Sequence, residues 1–210
     1  MSIVPIERLG NRFVGILLAA GRGERFRASA RRPDADKLLS SLPDGRAVAA
    51  ASACTLLQTL PFALAVVRPG APALREALQA SGCAVLETAA ATRGMGASLA
   101  QAAQALLSAH GGTGDAPRGC LVALADMPWV MPATMLAVQR AAETHRIAAP
   151  AYQGRRGHPV AFAWDLLPEL AALDGDEGAR ALLKRHGVHE IACADPGVLR
   201  DVDTVDDLPR

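Results

Sequence analysis

A chain of 210 residues with 50% hydrophobic and 20% charged side chains can bury a substantial core, and its composition is globular rather than disordered. A formal net charge of +1, with no basic stripe interleaved with aromatics, excludes a general attraction to nucleic acid or to a membrane surface. Aromatics at 3% leave the core to Ala, Val and Leu. The four cysteines, Cys54, Cys83, Cys120 and Cys193, are widely spaced, with no C-x-x-C pair and no histidine at metal spacing. They read as buried small hydrophobes in a reducing compartment. Residues 1–12 contain Glu7, Arg8 and Asn11 and lack the apolar centre of a signal peptide, and no apolar run approaches the length of a bilayer span. The expectation is a soluble, cytoplasmic, single domain over residues 1–210, with 1–12 as an N-terminal extension.

The first element is Val14-Gly15-Ile16-Leu17-Leu18, a buried strand that breaks into Ala19-Ala20-Gly21-Arg22-Gly23-Glu24-Arg25-Phe26. Gly21 and Gly23 allow a tight turn whose N–H groups can approach an anion, and Arg22, Arg25 and Lys37 supply charge for phosphate oxygens. A dinucleotide fingerprint fails here because Phe26 stands in place of the third glycine and the second strand ends in Arg68-Pro69 rather than an acid. A Walker A loop fails because no Lys-Ser or Lys-Thr follows the glycines. An ordinary strand-to-loop turn is the plainer reading of the glycines alone.

Residues 27–46 are polar, with Pro33 and Pro43 against a long regular element, and read as a loop over the strand's C-terminal edge. Helices are predicted over 47–59 and 73–80, and strands over 62–67 and 84–86, an alternation that says βαβ. Gly94-Met95-Gly96-Ala97-Ser98-Leu99 opens a long helix to about residue 109, whose N-terminus suits a ligand's polar edge as well as it suits an ordinary helix start. Residues 120–124 are the next buried strand and run directly into Asp126, at the edge where open α/β sheets bind ligands. Asp126 is therefore the leading metal-ligand candidate. The next helix begins only near residues 132–134, too late for Asp126 to cap it.

Residues 147–150 form a strand, and 151–162 read as a hairpin-like excursion on which Arg155, Arg156 and His158 are placed to meet an anionic acceptor. His158 taken alone reads more readily as a polar turn residue than as a catalytic one. Helices follow over 164–173 and 178–186, separated by the acidic turn Asp174-Gly175-Asp176-Glu177, and residues 188–192 suggest a last strand. In the extended tail, Asp201 and Asp203 share a face, and Thr204 caps a final helix.

In order and spacing, Leu18-Ala19-Ala20-Gly21-Arg22-Gly23-Glu24-Arg25-Phe26, Lys37, Gly94-Met95 with Ser98-Leu99, Ala125-Asp126-Met127-Pro128, Gly157-His158-Pro159, Gly178-Ala179-Arg180 and Asp201-Val202-Asp203-Thr204 form one set. The set resembles the MobA-like nucleotidyltransferases, and within them the molybdenum cofactor cytidylyltransferases. The resemblance implies a Rossmann-like three-layer α/β sandwich, with a mostly parallel sheet containing one antiparallel strand. It implies a nucleotide lined by Ala19, Ala20, Gly21 and Gly23, with Arg25 and Lys37 on its phosphates and Gly94 and Ser98 on its base or ribose side. It implies Mg²⁺ held by Asp126 and Asp203, with Asp201 as the competing acid, and a catalytic set of Arg25, Lys37 and Asp126. Ala19-Ala20-Gly21 matches the cytidylyl branch, where the guanylyl branch carries Ala-Gly-Gly, so the implied substrates are CTP and a molybdopterin-type acceptor, with a molybdoenzyme receiving the product. The interval between Arg25 and Lys37 is longer than in the family, which leaves the placement of Lys37 open. Two alternatives keep much of this set: a nucleotidyltransferase with another base or phosphorylated acceptor, and a non-catalytic factor that carries the cofactor to a molybdoenzyme.

Overall fold

The computed structural model describes residues 10–32, 34–112 and 115–208, so the extension assigned to residues 1–12, and the signal-peptide reading made on it, fall almost wholly outside the described residues. Strands β1 (Phe13–Leu18), β2 (Ala63–Val67), β3 (Ala84–Glu87) and β4 (Gly119–Leu124) pair in parallel in the order β3-β2-β1-β4. Beyond β4 lies β7 (Val160–Ala163), antiparallel to β4 and to β5 (Ile147–Tyr152), and β8 (His189–Ala192) pairs in parallel with β5. The antiparallel strand expected from the resemblance is β7. A two-residue β6 (Arg155–Arg156) adds a second at the sheet's end, folded back on β5 through Gln153 and Gly154, both at positive φ.

Both faces of the sheet are covered, which is why its central strands read as unbroken apolar runs. Phe13 and Leu17 of β1 join Leu121 and Ala123 of β4 in one core, beneath α2 (Val48–Thr59), α3 (Pro72–Ala80) and α5 (Pro132–Ala141). Val14 and Ile16 face the other way, with Cys120 and Val122, into a second core closed by α4 (Met95–His110) and α6 (Leu167–Ala171). Each fully buried Val, Ile or Leu in these layers contributes about 1.5–3 kcal/mol relative to exposure. Among the described residues, no helix is long and apolar enough to cross a membrane.

The structure departs from the expected loop over 27–46 at its start, where Glu24–Ala30 form helix α1. Gly23, at φ 61° and ψ 35°, makes the left-handed turn into the helix, and Phe26 is its one buried residue. A helix anchored by one side chain has no apolar repeat, so periodicity could not reveal it. The predicted helix 164–173 divides into a 3₁₀ turn, Trp164–Leu166, and α6, while α7 (Arg180–His186) matches its prediction closely.

Candidate active site

The C-terminal ends of β1, β2, β3 and β4 all point to one edge, and the expected site residues gather there. Ala20, Gly21 and Arg22 form one wall of a cavity of about 450 Å³, Gly94, Met95 and Ser98 form the other, and Asp126 lies at its base. Ala19 brings no side chain to this cavity, because its methyl is buried in the core and its N–H donates to Val66 O. Gly23 is likewise not a wall residue; its place is the turn into α1, against the aliphatic stem of Lys37. The backbone N–H groups of Gly21 and Arg22 have no hydrogen-bond partner among the described residues, which leaves them available to an anion.

Behind Asp126, and outside the lining of the cavity, Lys37 is 8% exposed and its Nζ donates to Asp126 Oδ2 at 2.6 Å. The same ammonium lies 3.6 Å from Asp203 Oδ1, and Asp203 Oδ2 accepts from Arg25 Nη1 at 2.7 Å. The tail reaches this place because Val202 N–H donates to Asp126 O at 2.9 Å, which lays residues 201–203 beside the end of β4. Asp203, not Asp201, thus shares a cation with Asp126. Burial, and then the neighbouring charges of Asp203 and Asp126, raise the Asp201 carboxyl above its ordinary range, so Asp201 borders the same acidic cluster. The donor set suits a hard divalent cation, since two carboxylates already converge on one positive charge. Among the described residues no group of three or more His, Cys, Asp or Glu is assembled as a metal cage. Such an ion would complete its shell with water and phosphate oxygens, as Mg²⁺ commonly does.

Gly94, at φ 125°, is where a glycine is needed, because a Cβ there would overlap the Asp176 carboxylate. The sequence reading offered the N-terminus of α4 to a ligand, but Gly175 O accepts from Gly96 N–H at 2.8 Å and from Ala97 N–H at 3.4 Å. The acidic turn, tied also by Arg93 to Asp174 at 3.0 Å, has thus taken two of the helix's first donors. Ser98 Oγ donates to Gly94 O at 3.0 Å, which orients the hydroxyl lining the cavity.

A second cavity of about 410 Å³ borders the first at Leu18, Met95 and Asp176. Its polar wall carries Arg156, His158 and Arg180, and its apolar wall includes Leu99, Val160 and Phe162. Arg155 does not reach it and stays exposed on the hairpin, while Arg156 also pairs with Glu190 at 3.4 Å. His158 Nδ1 is buried without a partner in the described structure. Burial holds the imidazole below its ordinary pKa against the opposing pull of Asp126, so it is neutral near pH 7.

Residues 15–191 match the MobA-like NTP transferase domain. The chain belongs to this family. Among solved structures, Rv0371c from Mycobacterium tuberculosis H37Rv is 29% identical, with a TM-score of 0.74, over 94% of this chain and 95% of that one. The same protein in complex with manganese superposes with a TM-score of 0.69 at 29% identity, over 94% of this chain and 96% of that one. A nucleotidyl transferase from Methanothermobacter thermautotrophicus shares the fold at 24% identity, with a TM-score of 0.75 and 94% of each chain covered. No curated protein matches the chain.

As a MobA-like nucleotidyltransferase, the protein gathers five of the expected residues, Gly21, Arg25, Lys37, Asp126 and Asp203, at one sheet edge. Sequence reasoning gave no role to Thr92, Met95 or Asp176, which line the first cavity, or to Arg180 in the second. Asp176 had a signal, an acid one residue beyond a glycine in an exposed turn, but nothing in the sequence tells which distant glycine that turn packs against. In a nucleotidyltransferase this arrangement performs displacement at phosphorus by positioning and charge neutralisation, without a nucleophilic side chain.

Proposed function

We propose that this enzyme transfers CMP from CTP to the phosphate of molybdenum-loaded molybdopterin and releases pyrophosphate. The observation that carries the reading is the convergence of Asp126 and Asp203 on one cation at the base of the cavity between Gly21 and Gly94. CTP is chosen over GTP on Ala19-Ala20-Gly21, the first-loop sequence of the cytidylyl branch. The unpartnered N–H groups of Gly21 and Arg22 would receive phosphate oxygens, and Ser98 and Gly94 would face the base or ribose.

Asp126 and Asp203 would hold Mg²⁺, which when bound polarises the α-phosphate and neutralises charge on the leaving pyrophosphate. A divalent cation on a protein of this fold is supported by the structure of Rv0371c in complex with manganese. Lys37, relieved of its carboxylate partners, would turn to the α- and β-phosphate oxygens together with Arg25. An oxygen of the acceptor phosphate attacks the α-phosphorus in line, forming one P–O bond as the bond to the β-phosphate breaks. Arg156, Arg180 and neutral His158 would seat the acceptor in the second cavity, next to the reacting phosphorus.

The test is pyrophosphate release with Mg²⁺ and molybdenum-loaded molybdopterin, comparing CTP, GTP, ATP and UTP. A strong preference for CTP is expected. Preference for GTP would keep the cation site and overturn the base assignment, and no release with any nucleotide would leave a different acceptor or a non-catalytic carrier.

A further inference from the structure

We infer that Arg68 is the positioning residue that sets both phosphate-facing elements of the site, the loop at Gly21 and Lys37. Arg68 follows β2 directly, and β2 is the parallel neighbour of β1, so its side chain leaves the sheet edge beside the loop that leaves β1. Its Nη1 donates to Gly21 O at 2.8 Å and its Nη2 to Asp36 Oδ2 at 3.3 Å. The pair with Asp36 is about three-quarters buried, with side-chain exposures of 26% and 21%, so water screens it less than an open surface pair.

Each contact has a consequence for a neighbour that Arg68 does not touch. In a trans peptide the carbonyl and the following N–H point in opposite directions, so holding Gly21 O toward Arg68 turns Arg22 N–H away from it and leaves that donor unpaired. Asp36, held by one oxygen, uses its other oxygen, Oδ1, to accept from Leu38 N–H at 3.0 Å, and its carbonyl accepts from Leu39 N–H at 3.2 Å. Lys37 sits inside that turn, so Arg68 fixes the base from which its ammonium reaches Asp126. The guanidinium therefore ties the Gly21 loop to the turn that carries Lys37. A lysine cannot reproduce this, because one ammonium lacks the fork that meets a carbonyl and a carboxylate together.

The positioning is a property of the free enzyme; its kinetic consequence rests on the nucleotidyltransfer reading above. The experiment is amide hydrogen exchange on the ligand-free full chain for wild type, Arg68→Lys, Arg68→Ala and Asp36→Asn, with pyrophosphate release measured on the same preparations. Arg68→Ala should raise exchange about tenfold or more in residues 27–30 of α1, into which the Gly21 loop leads and where Arg27 N–H donates to Gly23 O, and in residues 36–40 together, with β1 and β4 unchanged. Asp36→Asn, which removes the acceptor for Nη2 but leaves Gly21 O bound, should raise exchange mainly in 36–40, and Arg68→Lys should resemble Arg68→Ala. Unchanged exchange in both segments for Arg68→Lys and Arg68→Ala, or a rise spread over the whole sheet, would overturn the assignment. In the release assay kcat should fall about tenfold or more in both Arg68 variants. Absence of release in the wild type would instead defeat the proposed reaction and leave the exchange result to decide the positioning.

Discussion

Lys37 is buried, and its charge is balanced by one carboxylate at 2.6 Å and a second at 3.6 Å. Removing the ammonium leaves Asp126 without its cation partner and Asp203 with Arg25 alone. Lys37→Met should therefore lower turnover about 10²–10³-fold, by losing a phosphate-facing charge, while tightening Mn²⁺ binding to the nucleotide-free protein. Isothermal titration with Mn²⁺ separates these effects, and weaker metal binding in the variant would remove the competition between lysine and metal. Asp126→Asn should act oppositely, losing turnover far more than CTP affinity, as read from kcat against equilibrium binding. Asp126 was legible in the sequence because an acid ending a fully apolar strand has few structural excuses. The partnership of Lys37 with it was not, because residues 26–36 intervene and their path depends on Arg68 and Asp36, contacts that no local pattern encodes.

At the scale of elements, the helix ends facing the site are satisfied from far along the chain. Asp195 is 3% exposed, and its Oδ2 accepts from Met131 N–H and Thr134 Oγ1, both at 2.8 Å, while Oδ1 accepts from Gly197 N–H at 2.9 Å. It thereby closes the N-terminus of α5, which begins six residues after Asp126. Asp195→Ala would strand two N–H donors and a hydroxyl in a buried place, at a cost of about 2–3 kcal/mol. A chain of this size converts each kcal/mol to about 2–4 °C in Tm, so calorimetry should register a clear fall, and an unchanged Tm would contradict the capping role. Helices α2, α3, α4 and α5 were visible in the sequence as apolar repeats, whereas their caps were not. Two donors at the start of α4 go to Gly175, and Met131 N–H before α5 goes to Asp195, partners about 80 and 64 residues away.

For the whole molecule, the βαβ order and the sheet were readable because alternating apolar runs and helices leave few topologies, and right-handed crossovers fix the rest. Burial in that same sheet also sets how the stability of the chain depends on pH. His158, held below its ordinary 6.5 by burial, binds its proton more readily when the chain unfolds. Stability attributable to it is intact above about pH 6.5 and falls on acidification below that value, with a slope of at most about 1.4 kcal/mol per pH unit. The acids lowered by surface partners, Asp34, Asp44, Glu169, Asp174 and Asp207, start from 3.8 or 4.5, so their losses come later in the acid limb. Asp201, raised by burial, works in the opposite sense and favours the folded state when protonated. On the alkaline side, desolvation pushes the Cys83 and Cys120 thiols from 9.0 to about 12, so the unfolded chain releases their protons first and stability declines as pH rises past 9.0. Chemical denaturation between pH 5 and 10 should therefore give a plateau between about pH 6.5 and 9 with two falling limbs. His158→Gln should flatten the acid limb above pH 5 and leave the alkaline limb alone, while Cys120→Ala should make the alkaline limb shallower, with Cys83 still contributing, and leave the acid limb alone. An acid limb in the glutamine variant as steep as in the wild type would mean that His158 stays solvated, and with it would go the neutral imidazole assigned to the second cavity.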